Sequence, residues 1–387
     1  MHAPIFRRVA ARGVTLIEVL VGIVIGLIAI LVIFQTISVW DARTRASASG
    51  GDAQIAGTIA MYNIERDIKQ AGQGFAMATV PDLNCTLQGF FNGAATTFGR
   101  LTPIEIIDND GLGLPDEIRV FYGNSAFFTS REIFDSSTAT TKHFKTPNRR
   151  NAFKPGDLAV VTDGSNGLPG TAVCKLVEIT SDANADGLTL NHDTTSFTSF
   201  YGFAASSSRF NTAGGTGAVF TAGNMYNLGP LPQRRVWRVN GDTLGFTETL
   251  HNTSPFEVAD QIVDMKAQYG FDSDNDGRIT DSAPNEWTKT LPPSPDLSKV
   301  LAIRVAILVR SRNFEKPSGA SGVSWSAPNP VWSAGAFVMK DLGGTGDSFL
   351  AGDPDPHNWR NYRYRVFEKV IPLRNVIWAT TGGPILP

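Results

Sequence analysis

No charged side chain occurs from Val19 through Trp40, and Val19 to Phe34 holds no polar side chain either. That span of 22 residues rises roughly 33 Å as a helix, enough to cross a hydrocarbon core about 30 Å thick. One carboxylate, Glu18, stands at its entrance, Gly13 precedes it, and Arg7, Arg8 and Arg12 lie upstream. A secretory signal would use basic residues, an apolar core and a cleavage site such as Ala46-Ser47-Ala48, but such cores run to only about 7–15 residues. A plain membrane anchor accommodates the length and gives no reason for Glu18, since ionisable residues in such segments are costly and mark function. A buried soluble helix is rarely apolar on every side for so long.

The stretch Gly13-Val14-Thr15-Leu16-Ile17-Glu18-Val19-Leu20 resembles the class III signal of type IV pilins and type II secretion pseudopilins. Valine stands where phenylalanine is common. The resemblance implies that prepilin peptidase cuts between Gly13 and Val14, that Val14 is methylated, and that the helix is kept as an assembly spine. It also implies a partner for Glu18, the amine of Val14 on a neighbouring subunit. A lone carboxylate in lipid is unfavourable unless paired or protonated. Gly22 and Gly26 form a G-x-x-x-G spacing that permits close helix contact, although glycine is frequent in membrane helices in any case.

The remaining chain reads as an extracytoplasmic β-rich protein. Charged residues are 18% of the 387, below the ~25% of ordinary globular chains. A net charge of -2 offers no broad electrostatic case for nucleic acid. Cys85 and Cys174, the two cysteines, could form one bridge outside the cytoplasm; two buried free thiols are the alternative. Three basic residues before the span, against Arg43, Arg45 and Asp41 after it, slightly favour an N-in, C-out orientation.

Four segments are expected: a leader at 1–13, a transmembrane and assembly helix at 14–40, an amphipathic continuation at 41–72, and a β-rich head at 73–387. Ile55, Ile59 and Tyr62, with Met61, Ile64, Ile68 and Ala71, read as one broad apolar face. Glu65, Arg66, Asp67 and Lys69 fall mostly off it. Gly50-Gly51 is a weak point, and Gly72 and Gly74 end a helix of about 15–71. Alternation predicts strands at 116–122, 157–161, 174–179, 236–239 and 264–269. Asn240-Gly241-Asp242 is a hairpin signal. The run 300–309 reads as a central strand, or as a buried helix, and 362–370 as the last strand. Residues 200–224 and 313–361 read as loops. The fold class is therefore α+β: a long N-terminal helix, half transmembrane, packed on a head rich in antiparallel sheet.

Residues 63–72, Gln268-Tyr269-Gly270-Phe271-Asp272, 302–310 and Val370-Ile371-Pro372-Leu373-Arg374-Asn375 resemble, in that order, blocks of PilW-type minor pilins. The resemblance implies a protein of the set that primes pilus assembly at or near the tip. The partners implied are other minor and major pilins, the pilus assembly machinery, prepilin peptidase and the inner membrane. The J-type minor pseudopilin of type II secretion shares the same spine. A membrane-anchored calcium-binding adhesin that does not polymerise is the reading from a different class.

Catalytic chemistry finds little support. The five histidines are scattered without zinc spacing, and no Gly-x-Ser-x-Gly elbow is present. The glycine-rich 343–347 lacks the lysine of a phosphate loop. The aromatic and basic mixture at 359–365 reads as the cationic face of a strand. Asp272, Asp274 and Asp276, followed by Gly277, match the first half of a calcium loop. Position twelve is Ala283, so Asp281 or Glu286 would have to complete the ligand set. The clusters at 182–187 and 108–111, the latter with Asp116, read as ordinary turns.

Overall fold

The computed structural model describes residues 13–76, 82–127, 131–134, 143–146, 153–163, 173–181, 188–217, 220, 223–282, 285–317, 328–342 and 348–381. Residues 1–12 of the leader, the acidic cluster at 182–187 and Ala283 lie outside them. One helix runs unbroken from Leu16 to Gln70, one residue inside the expected limits at each end. The chain divides into two compact units after Asp52, just beyond Gly50-Gly51, but the helix continues through those glycines without interruption.

In the first unit the apolar run is exposed on all sides; Val19, Ile25, Leu31 and Phe34 are each at least half exposed. This is the one described helix long and apolar enough to span a membrane.

In the second unit the helix is packed into the head. Ala53, Ala60, Met61, Ile64, Ile68 and Ala71 are buried in one core with residues of two sheets. Ile55, Ile59 and Tyr62 are not: they are 61%, 45% and 62% exposed. The broad face expected from sequence is therefore two faces. At about 100° per residue, Ile55 and Tyr62 project to the far side of the helix from Ile64 and Ile68. Asp67 falls on the buried side.

A four-stranded sheet has the order Trp287–Thr288, Ile262–Phe271, Val300–Arg310, Tyr364–Pro372, all antiparallel. Val300–Arg310 is its long inner strand, which settles the choice against a buried helix. Its near-continuous apolar character follows from cover on both faces. Ile303, Val305, Ile307 and Val309 share the core with the long helix. Ala306 and Leu308 lie under Trp332 and Phe337, from a small hairpin inside the region read as loop. At Gly57 a Cβ would overlap the Phe367 ring, so the missing side chain lets the edge strand approach the helix.

A five-stranded antiparallel sheet has the order Phe256–Asp260, Thr243–Glu248, Gln233–Asn240, Glu117–Tyr122, Ile104–Ile107. Asn240 pairs with Thr243, so Gly241-Asp242 forms the two-residue turn that the sequence signals, with Gly241 at φ 64°.

A six-stranded sheet has the order Ala94–Arg100, Thr86–Phe91, Val173–Glu178, Leu158–Asp163, Gly223–Gly229, Glu132–Phe134. Thr86–Phe91 and Val173–Glu178 pair in parallel. Cys85 and Cys174 are bridged there, fully buried among Leu87, Phe98, Leu158 and Tyr226. A helix Arg374–Thr381 follows the last strand.

Candidate functional site

The helix start is a small hydrogen-bonded unit. The Thr15 N–H and hydroxyl both donate to Glu18 Oε2 at 3.0 Å, and the Glu18 N–H donates back to the Thr15 hydroxyl at 3.4 Å. This is a capping box, in which a threonine and a glutamate three residues on satisfy amides that the first turn leaves without acceptors. Glu18 is thus engaged within its own chain. Thr15 escaped the sequence reading, although the Thr-x-x-Glu spacing signals it. Gly13 and Val14 lie immediately before this turn, exposed.

At its other end the helix is fixed to the head by a buried carboxylate. Asp67 has 0% exposure. It accepts two hydrogen bonds from Arg235 Nη1, at 2.9 and 3.1 Å, one from Trp237 Nε1 at 3.0 Å and one from the Tyr122 hydroxyl at 3.2 Å. The Arg235 guanidinium also lies 4.4 Å over the Phe246 ring, and Trp237 is fully buried. Burial pushes the Asp67 carboxyl up from its ordinary value, against the pull of Arg235 and the Trp237 N–H. A carboxylate here is tolerable because four hydrogen bonds from three side chains converge on it.

Further contacts bind the helix to the C-terminal segment. Lys369 Nζ reaches Glu65 at 2.7 Å, Arg365 Nη1 donates to Gln54 at 2.6 Å, and Asn375 Nδ2 donates to the carbonyls of Gln70 and Ala71. The last contact supplies a donor to carbonyls that the final turn leaves open.

The two described acidic loops differ in what fills them. Asp272, Asp274 and Asp276 bring oxygens within 4.8 Å of one another. Their carboxylates also accept loop amides: Asp276 and Gly277 N–H donate to Asp272 at 3.1 and 3.0 Å, and Arg278 N–H donates to Asp276 at 2.7 Å. Asp281 does not join them; it pairs with Arg304, whose guanidinium lies 4.0 Å over the Trp287 ring. Glu286 closes the loop instead, accepting the N–H groups of Ser273 and Thr280 at 2.8 and 3.0 Å. The all-oxygen donor set suits a hard cation.

Asp108, Asp110 and Asp116 also cluster, and there the chain provides its own cation. Lys266 Nζ lies 2.7 Å from Asp110, 3.6 Å from Asp116 and 3.5 Å from Asp264, and it donates to the Leu114 carbonyl at 2.7 Å. Burial pushes Asp264 up to about 6 and raises Asp116.

Residues 240–375 match the family model PilW, described as Type IV Pilus-assembly protein W. Over this region the chain is similar to the PilW family. The matched region is about a third of the chain. It contains the whole four-stranded sheet with Arg365 and Lys369, and it begins just after Arg235 and Trp237. The PilW segment therefore supplies most of the surface against which the helix residues from Ala53 onward are packed. No curated protein and no solved structure gives a match.

Proposed function

We propose that this PilW-like protein is a minor pilin of the priming or tip complex of the type IV pilus. In this reading residues 1–13 are a leader removed by prepilin peptidase in the inner membrane, and Val14 becomes a methylated N-terminus. The helix at 14–40 spans the membrane with its N-terminus inside, residues 41–72 carry it into the head, and 73–387 form that head. The spine then packs among other minor and major pilins under the pilus assembly machinery. The observation that carries the reading is one continuous helix: uncharged and exposed from Val19 to Trp40, then packed from Ala53 onward against residues that include much of the PilW-matched segment. Glu18 leaves the Thr15 hydroxyl and amide for the neighbouring Val14 amine on assembly, a stronger charge-assisted partner.

Mass spectrometry of the purified protein tests processing. A start at methylated Val14 is expected; an intact Met1, or a start after Ala48, rejects it. Glu18→Ala separates a filament subunit from an anchored adhesin. In a deletion strain the variant is expected to fail to restore surface piliation and twitching, whereas an adhesin that never polymerises would still work. Lost secretion with normal piliation would point to the J-type pseudopilin. Calcium held by Asp272, Asp274 and Asp276 belongs to the same proposal; Asp281, the fourth candidate, pairs with Arg304 in the structure. Calorimetric titration of the chelator-treated protein should show calcium uptake that Asp274→Ala with Asp276→Ala abolishes; no heat in the wild type removes calcium from the reading.

A further inference from the structure

Where the uncharged span of the long helix ends, Trp40, Arg43, Thr44, Ser47 and Ala48 line one shallow depression on its surface. Helical spacings of three and four place them on a single face. Trp40 is 72% exposed, and Ala48, a bare methyl, leaves room beside the longer side chains.

The charges on this stretch do not cancel. Asp41 is the one carboxylate between Glu18 and Asp52, and Arg45 pairs with it at 2.6 Å. The Arg43 guanidinium has no ion pair or hydrogen-bond partner among the described residues. The Thr44 hydroxyl is engaged with the Trp40 carbonyl at 2.9 Å, whereas the Ser47 hydroxyl, one turn beyond Arg43, is not engaged among the described residues.

Depth decides what such a face meets. From Val19 to Trp40 the helix rises about 32 Å, against a hydrocarbon core about 30 Å thick. A span that enters at Val19 therefore brings Trp40 to the far boundary, where a ring with an apolar body and an N–H tip is at home. Arg43 follows about 4.5 Å later, inside a headgroup layer about 5–7 Å deep. Helical side chains lean toward the N-terminus, which brings the Ser47 hydroxyl back toward Arg43.

We propose that this face binds one phospholipid headgroup at the C-terminal end of the span, with a preference for an anionic one. The Arg43 guanidinium takes phosphate oxygens through a forked pair of hydrogen bonds, the Ser47 hydroxyl donates a third, and the Trp40 ring lies along the first acyl carbons. With Asp41 already neutralised by Arg45, the face carries one net positive charge, which favours a headgroup of negative net charge over a zwitterionic one. The inference rests on the reading of 14–40 as a membrane span.

The test uses the full chain in nonionic detergent micelles supplied with equal phosphatidylcholine and phosphatidylglycerol, with bound lipid counted by native mass spectrometry. The wild type should hold phosphatidylglycerol over phosphatidylcholine by about fivefold. Arg43→Gln should abolish that preference. Arg43→Lys should keep part of it, because an ammonium retains the charge and not the fork. Trp40→Ala should lower retention of both lipids. Incorporation of the wild type into nanodiscs is measured alongside: a chain that stays out overturns the membrane span and this site with it. A chain that enters but shows no phosphatidylglycerol preference, or the same preference in Arg43→Gln, overturns the site alone. Dimers that depend on Arg43, in place of lipid adducts, overturn it in favour of a carboxylate on a second copy of the chain.

Discussion

Replacing Asp67 with alanine removes the acceptor on which Arg235, Trp237 and Tyr122 converge. Breaking a buried ion pair by deleting one partner costs about 3–5 kcal/mol. The Arg235 side chain is 18% exposed, so water can reach part of the guanidinium and the lower half of that range applies. Trp237 is fully buried, and its orphaned N–H adds to the loss at about 1 kcal/mol or more. The net loss is about 4–5 kcal/mol. The unit Ala53–Pro387, at ~2.1 cal/mol/K per residue, converts this to about 6 °C in melting temperature. Differential scanning calorimetry of the full chain reads it. Hydrogen exchange should show the helix amides at 60–70 losing protection ahead of the six-stranded sheet. Adding Arg235→Met to Asp67→Ala should recover part of the loss, with a coupling of roughly 2 kcal/mol. A melting temperature within about 1 °C of wild type, or full additivity of the two substitutions, would refute the view that this cluster holds the helix.

Three further outcomes are expected. Asp264 sits above its unfolded value of 3.8, at about 6, so the folded protein binds the extra proton and this group's contribution to stability rises as pH falls through 6 toward 4. Asp264→Asn should flatten that rise in a series of melts from pH 7 to pH 4.5. Gly57→Ala gains about 1 kcal/mol of helix propensity but drives a methyl into the Phe367 ring, an overpacking cost of about 1–3 kcal/mol; thermal melting should show a net loss. Serine at both Cys85 and Cys174, which are 89 positions apart, should destabilise the head by about 4 kcal/mol or more, and equal melting of variant and wild type would count against the bridge.

The helix, its limits and the five strands read from alternation were legible because each is a periodic pattern long enough to carry its own signal. Val300–Arg310 left two choices in the sequence because apolar cover on both faces erases the period of two. Thr86–Phe91 and Gly223–Gly229 gave no such signal. The first reads Thr-Leu-Gln-Gly-Phe-Phe, and the second begins and ends in glycine within a stretch rich in glycine and alanine. The capping box was written in Thr15 and Glu18 but hidden behind the stronger processing motif. Asp67 was placed off the apolar face because it is charged; counting 100° per residue would have put it among Ile64, Ile68 and Ala71. Its partners, 168 and 170 positions away, are beyond any local pattern. The same distance hid the ammonium of Lys266 within the acidic loop around Asp110.

The contacts between the helix and the final strand set an order of events. Glu65 meets Lys369 across 304 positions, and Gln54 meets Arg365 across 311. The helix emerges first in synthesis, and the strand that flanks it emerges almost last. Contacts this far apart close late, after the entropy of the intervening chain has been overcome. A chain truncated before the last strand therefore lacks Phe367 and Ile371, which share a core with Ile64 and Ile68. Only a chain complete through that strand can close this core around the helix, and shorter fragments present exposed apolar surface to proteases.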